Sequence, residues 1–272
     1  MKSKDLKLIV QEKYGGIAQK SLLNEQSSCC GASSCCGELE FSMIGDEYAG
    51  IAGHHADADL GLGCGIPTQF ANIREGDSVL DMGSGAGNDC FVARAIVGTQ
   101  GKVTGLDFTE AMVTKASINN QKLGYENVEF VKGDIESMPF PDNQFDVVIS
   151  NCVLNLVPDK AKAFAEIIRV LKPRGHFCVS DVVIKGELPH ALKDDAVMYA
   201  GCIAGAIDIN EYLKTIGDQG FEDIAIHKQK LISIPEEILA KYLTKEAISN
   251  FKISETGILS VTVSARKQSE HE

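Results

Sequence analysis

Between residues 77 and 183, short apolar runs alternate with longer amphipathic stretches, and that alternation sharply limits the folds open to the chain. Val79-Leu80-Asp81 reads as a strand, 89–97 as a helix, Lys102-Val103-Thr104-Gly105-Leu106-Asp107 as a second strand and 110–123 as a helix. A third strand is expected over 128–134, a fourth over 145–150, a helix over 160–171 and a fifth strand over 176–183. Strands separated by helices of this length indicate βαβ units and a parallel sheet. Several strands are continuous apolar runs, as expected where helices cover both faces. Before this core, Leu6, Ile9, Val10, Tyr14 and Ile17 keep helical spacing, with Lys13 as a polar break, and predict an N-terminal helix. Beyond it, 192–220 reads as helical, followed by strands over 223–234 and 259–267 joined through a helix at 236–243. The expected organisation is an N-terminal helix and cysteine-rich loop over 1–60, a sheet domain over 61–183 and a C-terminal α+β extension over 184–272 that completes the sheet.

The first strand runs into Asp81-Met82-Gly83-Ser84-Gly85-Ala86-Gly87, which opens the next helix. Glycines there permit a tight turn and close approach of a ligand to the backbone. The spacing is Gly-x-Gly-x-Gly, with Asn88 where a dinucleotide fingerprint has its last glycine. Asp81 just before the loop would repel a phosphate and attract an amine or a sulfonium. Asp107 ends the second strand about 20 residues on, where an acid can accept ribose hydroxyls. Asp134, after the third strand, can accept a hydrogen bond from an adenine amine. These features point to a nucleoside cofactor.

The net charge of −12 argues against nucleic-acid or anionic-membrane partners, whose phosphates would be repelled. No apolar stretch approaches the roughly 18 residues of a membrane span. Met1-Lys2-Ser3-Lys4-Asp5 leads into an amphipathic pattern, unlike a secretory signal, so a cytoplasmic location with reduced thiols is expected. In that setting nine cysteines call for an account. Cys90 on a helix and Cys178 inside the fifth strand read as small buried hydrophobes. Cys64 lies instead in the run Leu60-Gly61-Leu62-Gly63-Cys64-Gly65-Ile66-Pro67, and Cys202 in Gly201-Cys202-Ile203-Ala204-Gly205-Ala206. Cys152 directly follows the fourth strand, at the carboxyl end where ligands of open α/β sheets bind. Cys29, Cys30, Cys35 and Cys36 fall in a small, polar segment that reads as a flexible loop. Cys30 and Cys35 have a zinc-like gap, but no second pair accompanies them. His54 and His55 read as a surface pair.

The glycine loop, Asp107, Gly133-Asp134-Ile135, Phe145-Asp146-Val147-Val148, Met138-Pro139-Phe140-Pro141-Asp142 and Leu171-Lys172-Pro173-Arg174-Gly175 together resemble the class I S-adenosylmethionine-dependent methyltransferases. That resemblance implies a Rossmann-like α/β sheet with helices on both faces and S-adenosylmethionine as cofactor. It implies Asp107 on the ribose, Asp134 with Ile135 at the adenine, Met112 on the adenine face, and Asp81, Gly83, Gly85, Gly87 and Asn151 along the rest of the cofactor. The wider chain is similar to arsenite methyltransferases, through Tyr14-Gly15-Gly16-Ile17-Ala18, Ser28-Cys29-Cys30-Gly31, Ala58-Asp59-Leu60-Gly61-Leu62-Gly63-Cys64-Gly65, Ser150-Asn151-Cys152-Val153-Leu154-Asn155 and the Cys202 segment. Ile66 stands where that family usually has Asn.

This second resemblance implies that Cys64, Cys152 and Cys202 bind trivalent arsenic, with arsenite and methylated arsenicals as substrates. The chemistry is coherent, because arsenic(III) is soft and thiolates are the soft ligands a protein offers. Three thiolates leave a lone pair able to take a methyl group, so catalysis is largely positioning. The arsenic is then reduced by thiols that close a disulfide. Cys29, Cys30, Cys35 and Cys36 are candidates for that shuttle, with thioredoxin or glutathione as the outer reductant. Cys64, flanked by glycines, is expected to be a movable third ligand beside a fixed Cys152 and Cys202. The competing functions are a carbon or oxygen methyltransferase of a small metabolite such as a quinone precursor, and a non-enzymatic metalloid sensor.

Overall fold

The computed structural model describes residues 3–22, 48–186, 205–232, 236–253 and 256–269. Helix α1 spans Ser3–Leu22. The sheet core then runs β1 (Ser78–Met82), α2 (Asn88–Val97), β2 (Lys102–Asp107), α3 (Glu110–Leu123), β3 (Val128–Lys132), β4 (Phe145–Asn151), α4 (Lys160–Val170) and β5 (Leu171–Lys185). It continues through α5 (Ile209–Asp218), β6 (Phe221–Ile232), α6 (Glu236–Tyr242), α7 (Lys245–Ile253) and β7 (Gly257–Lys267). One seven-stranded sheet has the order β3-β2-β1-β4-β5-β7-β6. The first five strands are parallel, and β7 enters antiparallel between β5 and β6. The expected α/β sheet with helices on both faces is therefore present. Among the described residues no helix is long and apolar enough to cross a membrane.

Why the central strands read as continuous apolar runs is visible in their two faces. Successive side chains of a strand point to opposite sides. Leu80, Met82 and Val148 pack with Phe164 and Ile167 of α4 and with Tyr212 and Ile216 of α5. Their neighbours Val79, Val147 and Ile149 pack on the other side with Cys90, Phe91 and Val97 of α2. Helices cover both faces, so residues of either parity are mostly apolar, and the polar exceptions Asp81, Thr104 and Ser150 are buried.

Several boundaries differ from the sequence reading. β3 stops at Lys132, and the Gly133 N–H, donated to the Asp107 carbonyl at 3.0 Å, closes its ladder with β2. β5 begins at Leu171, opposite Phe145, and regains register at His176 after an irregularity where Arg174 takes a positive φ of 65°. The helical stretch expected over 192–220 lies partly outside the described residues. Within them α5 starts only at Ile209, where the Asp208 carboxylate accepts the Asn210 N–H and caps it. Helix α7 was not foreseen.

One carboxylate is buried in the packing between β5, the segment after β4, and α5. Asp181 is 1% exposed. Its Oδ1 accepts the Asn155 side-chain amide at 2.9 Å and the Val182 N–H at 2.9 Å, and its Oδ2 accepts the Tyr212 hydroxyl at 3.3 Å. Burial disfavours the charged form and pushes its pKa up to about 7, against partial relief from Lys160 and from these hydrogen bonds. The ordinary value is 3.8, so the folded chain holds this proton where the unfolded chain does not. The resulting stability is full below the ordinary value and is lost as pH rises through about 7. Replacing Asp181 by Asn removes the titration and keeps the shape. Urea unfolding at pH 5 and pH 8 should show the wild type losing roughly 2–3 kcal/mol relative to Asp181→Asn across that interval. A difference between the two proteins that does not change with pH would contradict the assignment.

Candidate functional site

The carboxyl ends of β1, β2 and β4 open onto one cleft of about 1100 Å³ including its mouth, at the position where open α/β sheets bind ligands. The loop after β1 supplies Gly83, Ser84 and Gly85, β2 supplies Asp107, and the end of β4 supplies Asn151 and Cys152. Met112, Asp134 and Ile135 also line it. Asp107 is 8% exposed and accepts the Gly85 N–H at 3.0 Å through Oδ2 and the Thr109 N–H at 2.8 Å through Oδ1. The Thr109 side chain is a further partner of this carboxylate, whose roughly four acceptor positions leave room for a ligand hydroxyl. Of the residues expected along a cofactor, Gly87 is the one outside this lining. It caps α2 and packs against Phe91 and Phe130.

The inner end of the cleft is acidic. Burial pushes the Asp81 carboxyl well up, and the nearby Asp89 and Asp107 carboxylates add to the effect. Burial also raises Asp89, to about 6, and Asp107. Among the described residues Lys7 is the basic member of the lining, and its charge is taken up by carboxylates. From α1 it pairs with Asp134 at 2.5 Å and with Glu136. Burial opposes its charge, but these two carboxylates outweigh that and hold its pKa above the ordinary value. A ligand that carries hydroxyls toward Asp107 and a positive charge toward Asp81 therefore fits this donor set. Helix α1 covers the cleft through Lys7, Val10 and Tyr14, and the Lys7 contact gave no signal in the sequence beyond one more charged residue on a helix.

Cys64 and Cys152 are 2% and 3% exposed and meet in one apolar cluster with Val182, Ile184 and Ile258. Cys152 also lines the cleft, so the thiol cluster and the cleft adjoin. Cys152 has a positive φ of 62°, uncommon for a residue with a side chain, and donates its N–H to the Ser180 carbonyl at 2.7 Å. Cys202, Cys29, Cys30, Cys35 and Cys36 lie outside the described residues. Among the described residues no group of three or more His, Cys, Asp or Glu is gathered for a metal ion. Cys90 and Cys178 are fully buried, as expected. The Cys90 Sγ lies 3.2 Å from Asp81 Oδ2, and burial pushes the Cys178 thiol up to about 12, so both are poor thiolates.

Two expectations need correction. The segment carrying Cys64 is pinned, where mobility was expected. The Cys64 N–H donates to Asn151 Oδ1 at 3.0 Å, and its carbonyl accepts the Ser260 hydroxyl at 2.6 Å. The flanking glycines serve close approach here: a Cβ on Gly63 would stand 2.7 Å from Asn151 Nδ2, and one on Gly65 2.5 Å from Ser180 Oγ. His54 and His55 are half-buried, not a surface pair. His54 bonds Asp59 at 3.0 Å and stacks on Tyr48, while His55 meets the edge of Phe91. Tyr48 and Asp89, which sequence reasoning missed, complete a buried polar cluster with Asn151. Neither sits in a recognisable pattern.

The methyltransferase domain model matches residues 73–233, more than half of the chain. The chain is 40% identical over 231 residues to the arsenite methyltransferase of Halobacterium salinarum, covering 80% of this chain and 58% of that protein. It is 34% identical to the arsenite methyltransferase of Aquipseudomonas alcaligenes, covering 86% of this chain and 67% of that protein. Among solved structures it is similar to an arsenic(III) S-adenosylmethionine methyltransferase from Chlamydomonas reinhardtii, with a TM-score of 0.63 and 36% identity over 76% of this chain and 68% of that one. The chain thus spans about three-fifths to two-thirds of the length of the relatives it matches. With the acidic nucleoside-type cleft, the adjoining thiols and these similarities in agreement, the chain belongs to the arsenite methyltransferase family, built on the methyltransferase domain.

Proposed function

We propose that this protein methylates trivalent arsenic with S-adenosylmethionine, and that Cys64 and Cys152 are two of the thiolates that hold the arsenic. The observation carrying this reading is that two thiols far apart in sequence share one buried cluster, beside a cleft whose donor set suits a cationic nucleoside. When bound, S-adenosylmethionine supplies an electrophilic methyl group to the arsenic lone pair. The residues of the chain do the remaining work. Asp107 takes ribose hydroxyls, Met112 and Ile135 offer apolar surface to the adenine, and Asp134 takes its amine. Asp81 faces the sulfonium, whose positive charge favours ionisation of a carboxyl that burial otherwise holds toward its neutral form. Cys64, Cys152 and, in this reading, Cys202 replace the oxygens of arsenite and fix the arsenic beside the cleft. No general base is needed at the arsenic, because its nucleophile is a lone pair. The proposal also assigns residues 61–183 to methyl-donor binding and gives 184–272 a share of the arsenic site. Reduction of the product arsenic by two thiols that close a disulfide, with Cys29, Cys30, Cys35 and Cys36 as candidates and thioredoxin or glutathione behind them, is part of the same reading.

Incubating the protein with arsenite, S-adenosylmethionine and a thiol reductant should yield methylated arsenicals on speciation. Tight arsenite binding without product would favour a sensor, and neither binding nor product would favour a small-metabolite methyltransferase. Asp107→Ala should weaken S-adenosylmethionine binding by about 1–3 kcal/mol, the range for hydrogen bonds to a charged group. An affinity unchanged within calorimetric error would mean that the cleft has been misread.

The two thiols should differ in their substrates. Arsenite offers three exchangeable bonds, whereas a monomethylated trivalent arsenical offers two. Cys152 lines the cleft and Cys64 stands behind it, so Cys152 is the ligand both substrates require. Cys152→Ser should abolish turnover of both, since a serine hydroxyl is a hard and protonated ligand. Cys64→Ser should abolish turnover of arsenite and keep most of the activity on methylarsenite. Equal loss on both substrates, or no loss on either, would remove Cys64 from the third position.

A further inference from the structure

Asn151 is the last residue of β4. Its Oδ1 accepts the N–H groups of Cys64 at 3.0 Å and Gly65 at 3.3 Å. Its Nδ2 lies within donating distance of the Gly65 carbonyl at 2.8 Å, the Tyr48 hydroxyl oxygen at 2.8 Å and Asp89 Oδ2 at 3.1 Å. The Tyr48 hydroxyl donates in turn to Asp89 Oδ1 at 2.7 Å. One amide therefore clamps the backbone on both sides of a thiol that is distant in sequence, and a buried Tyr–Asp pair fixes which way that amide faces. Gly63 carries independent evidence of the same fit, since a Cβ there would press into the Asn151 side chain itself.

We infer that Asn151 is a positioning residue, and that with Asp89 and Tyr48 it sets Cys64 at the distance from Cys152 that selects arsenite. Cys152 is the next residue in the chain, so the clamp and the second thiol share one strand end and cannot drift apart. This inference rests on the arsenic-binding reading of Cys64. It predicts a specificity effect that a cofactor-binding role for Asn151 does not. Loosening the clamp should impair the three-thiolate substrate more than the two-thiolate one.

The test uses the full chain with Asn151→Asp, Asp89→Asn and the double variant. Asn151→Asp keeps the acceptor for Cys64 and Gly65 but loses the donor and sets a second carboxylate against Asp89. The double variant again opposes an amide and a carboxylate, and the Tyr48 hydroxyl, 3.2 Å from the Gly65 carbonyl, stands ready to serve as the donor lost there. Two readouts are needed: KM and kcat on arsenite and on methylarsenite, and the rate of Cys64 alkylation by N-ethylmaleimide followed by peptide mass analysis. Asn151→Asp should raise the KM for arsenite about tenfold more than the KM for methylarsenite, and speed Cys64 alkylation about tenfold. The double variant should recover most of each change. If Asn151→Asp does not fold, a folded double variant with slow Cys64 alkylation supports the clamp by rescue, and an unfolded one overturns it. Unchanged Cys64 alkylation in Asn151→Asp, or equal losses on both arsenicals, also overturns it. Absence of arsenite turnover in the wild type would instead defeat the arsenic reading, and the alkylation rates would still decide whether Asn151 positions Cys64.

Discussion

At the end of β4, a single strand terminus serves two neighbours, and much of the site depends on how its buried polar groups are paired. Asn151 lines the cleft while its amide is bonded to the Cys64 segment, to Tyr48 and to Asp89. A buried amide left without partners costs more than its hydrogen bonds gain when made, so this junction tolerates one arrangement and excludes near alternatives. Cys152 follows directly, in a left-handed conformation held by its N–H bond to Ser180. Ser180 also shares a 2.9 Å hydrogen bond with Thr262 of β7, and Ser260 of the same strand bonds the Cys64 carbonyl. The antiparallel strand β7 thereby reaches the thiols from the far side. Its insertion beside β5 is a structural requirement of the site as well as of the sheet.

Electrostatics tie the cleft to that junction. Asp81, Asp89 and Asp107 are all buried, and burial raises the pKa of each. Carboxylates gathered in this way are costly unless a positive group joins them. Where a cation is the natural ligand, the cost becomes selectivity, because binding restores a favourable charge state that the empty cleft lacks. The thiols face the opposite requirement. They sit in an apolar cluster with Val182, Ile184 and Ile258, suited to a soft, neutral centre. Cys152 belongs to both environments, which places it at their boundary.

The sheet was legible in the sequence because its signals are local: apolar runs of strand length, helices of two to four turns and a glycine loop between them. Helix α3 at Glu110–Leu123 and the antiparallel final strand were found for that reason, the latter only as a strand and without its neighbours. The places of Asp107 and Cys152 at the cleft were legible because each stands at a strand end, whereas Met112, within α3, came from the family resemblance. The clamp was not. Tyr48, Asp89 and Asn151 are separated by tens of residues, and none belongs to a periodic pattern that would reveal a shared partner. For Cys64 the sequence misled on mobility. Flanking glycines usually mean freedom, yet here they mean that Asn151 and Ser180 come too close for any side chain. The His54–His55 pair misled for a related reason, since stacking on Tyr48 and edge contact with Phe91 half-bury residues that look polar in isolation.

The central claim is that thiolates from separate parts of the chain hold one arsenic atom beside the methyl-donor cleft. X-ray absorption at the arsenic edge of the arsenite-loaded protein measures that directly, because arsenic–sulfur and arsenic–oxygen shells differ in distance and scattering. The account predicts a shell of three sulfurs in the wild type, with one sulfur replaced by oxygen in Cys64→Ser and in Cys152→Ser. An oxygen-rich shell in the wild type, or a three-sulfur shell that survives either substitution, would contradict it.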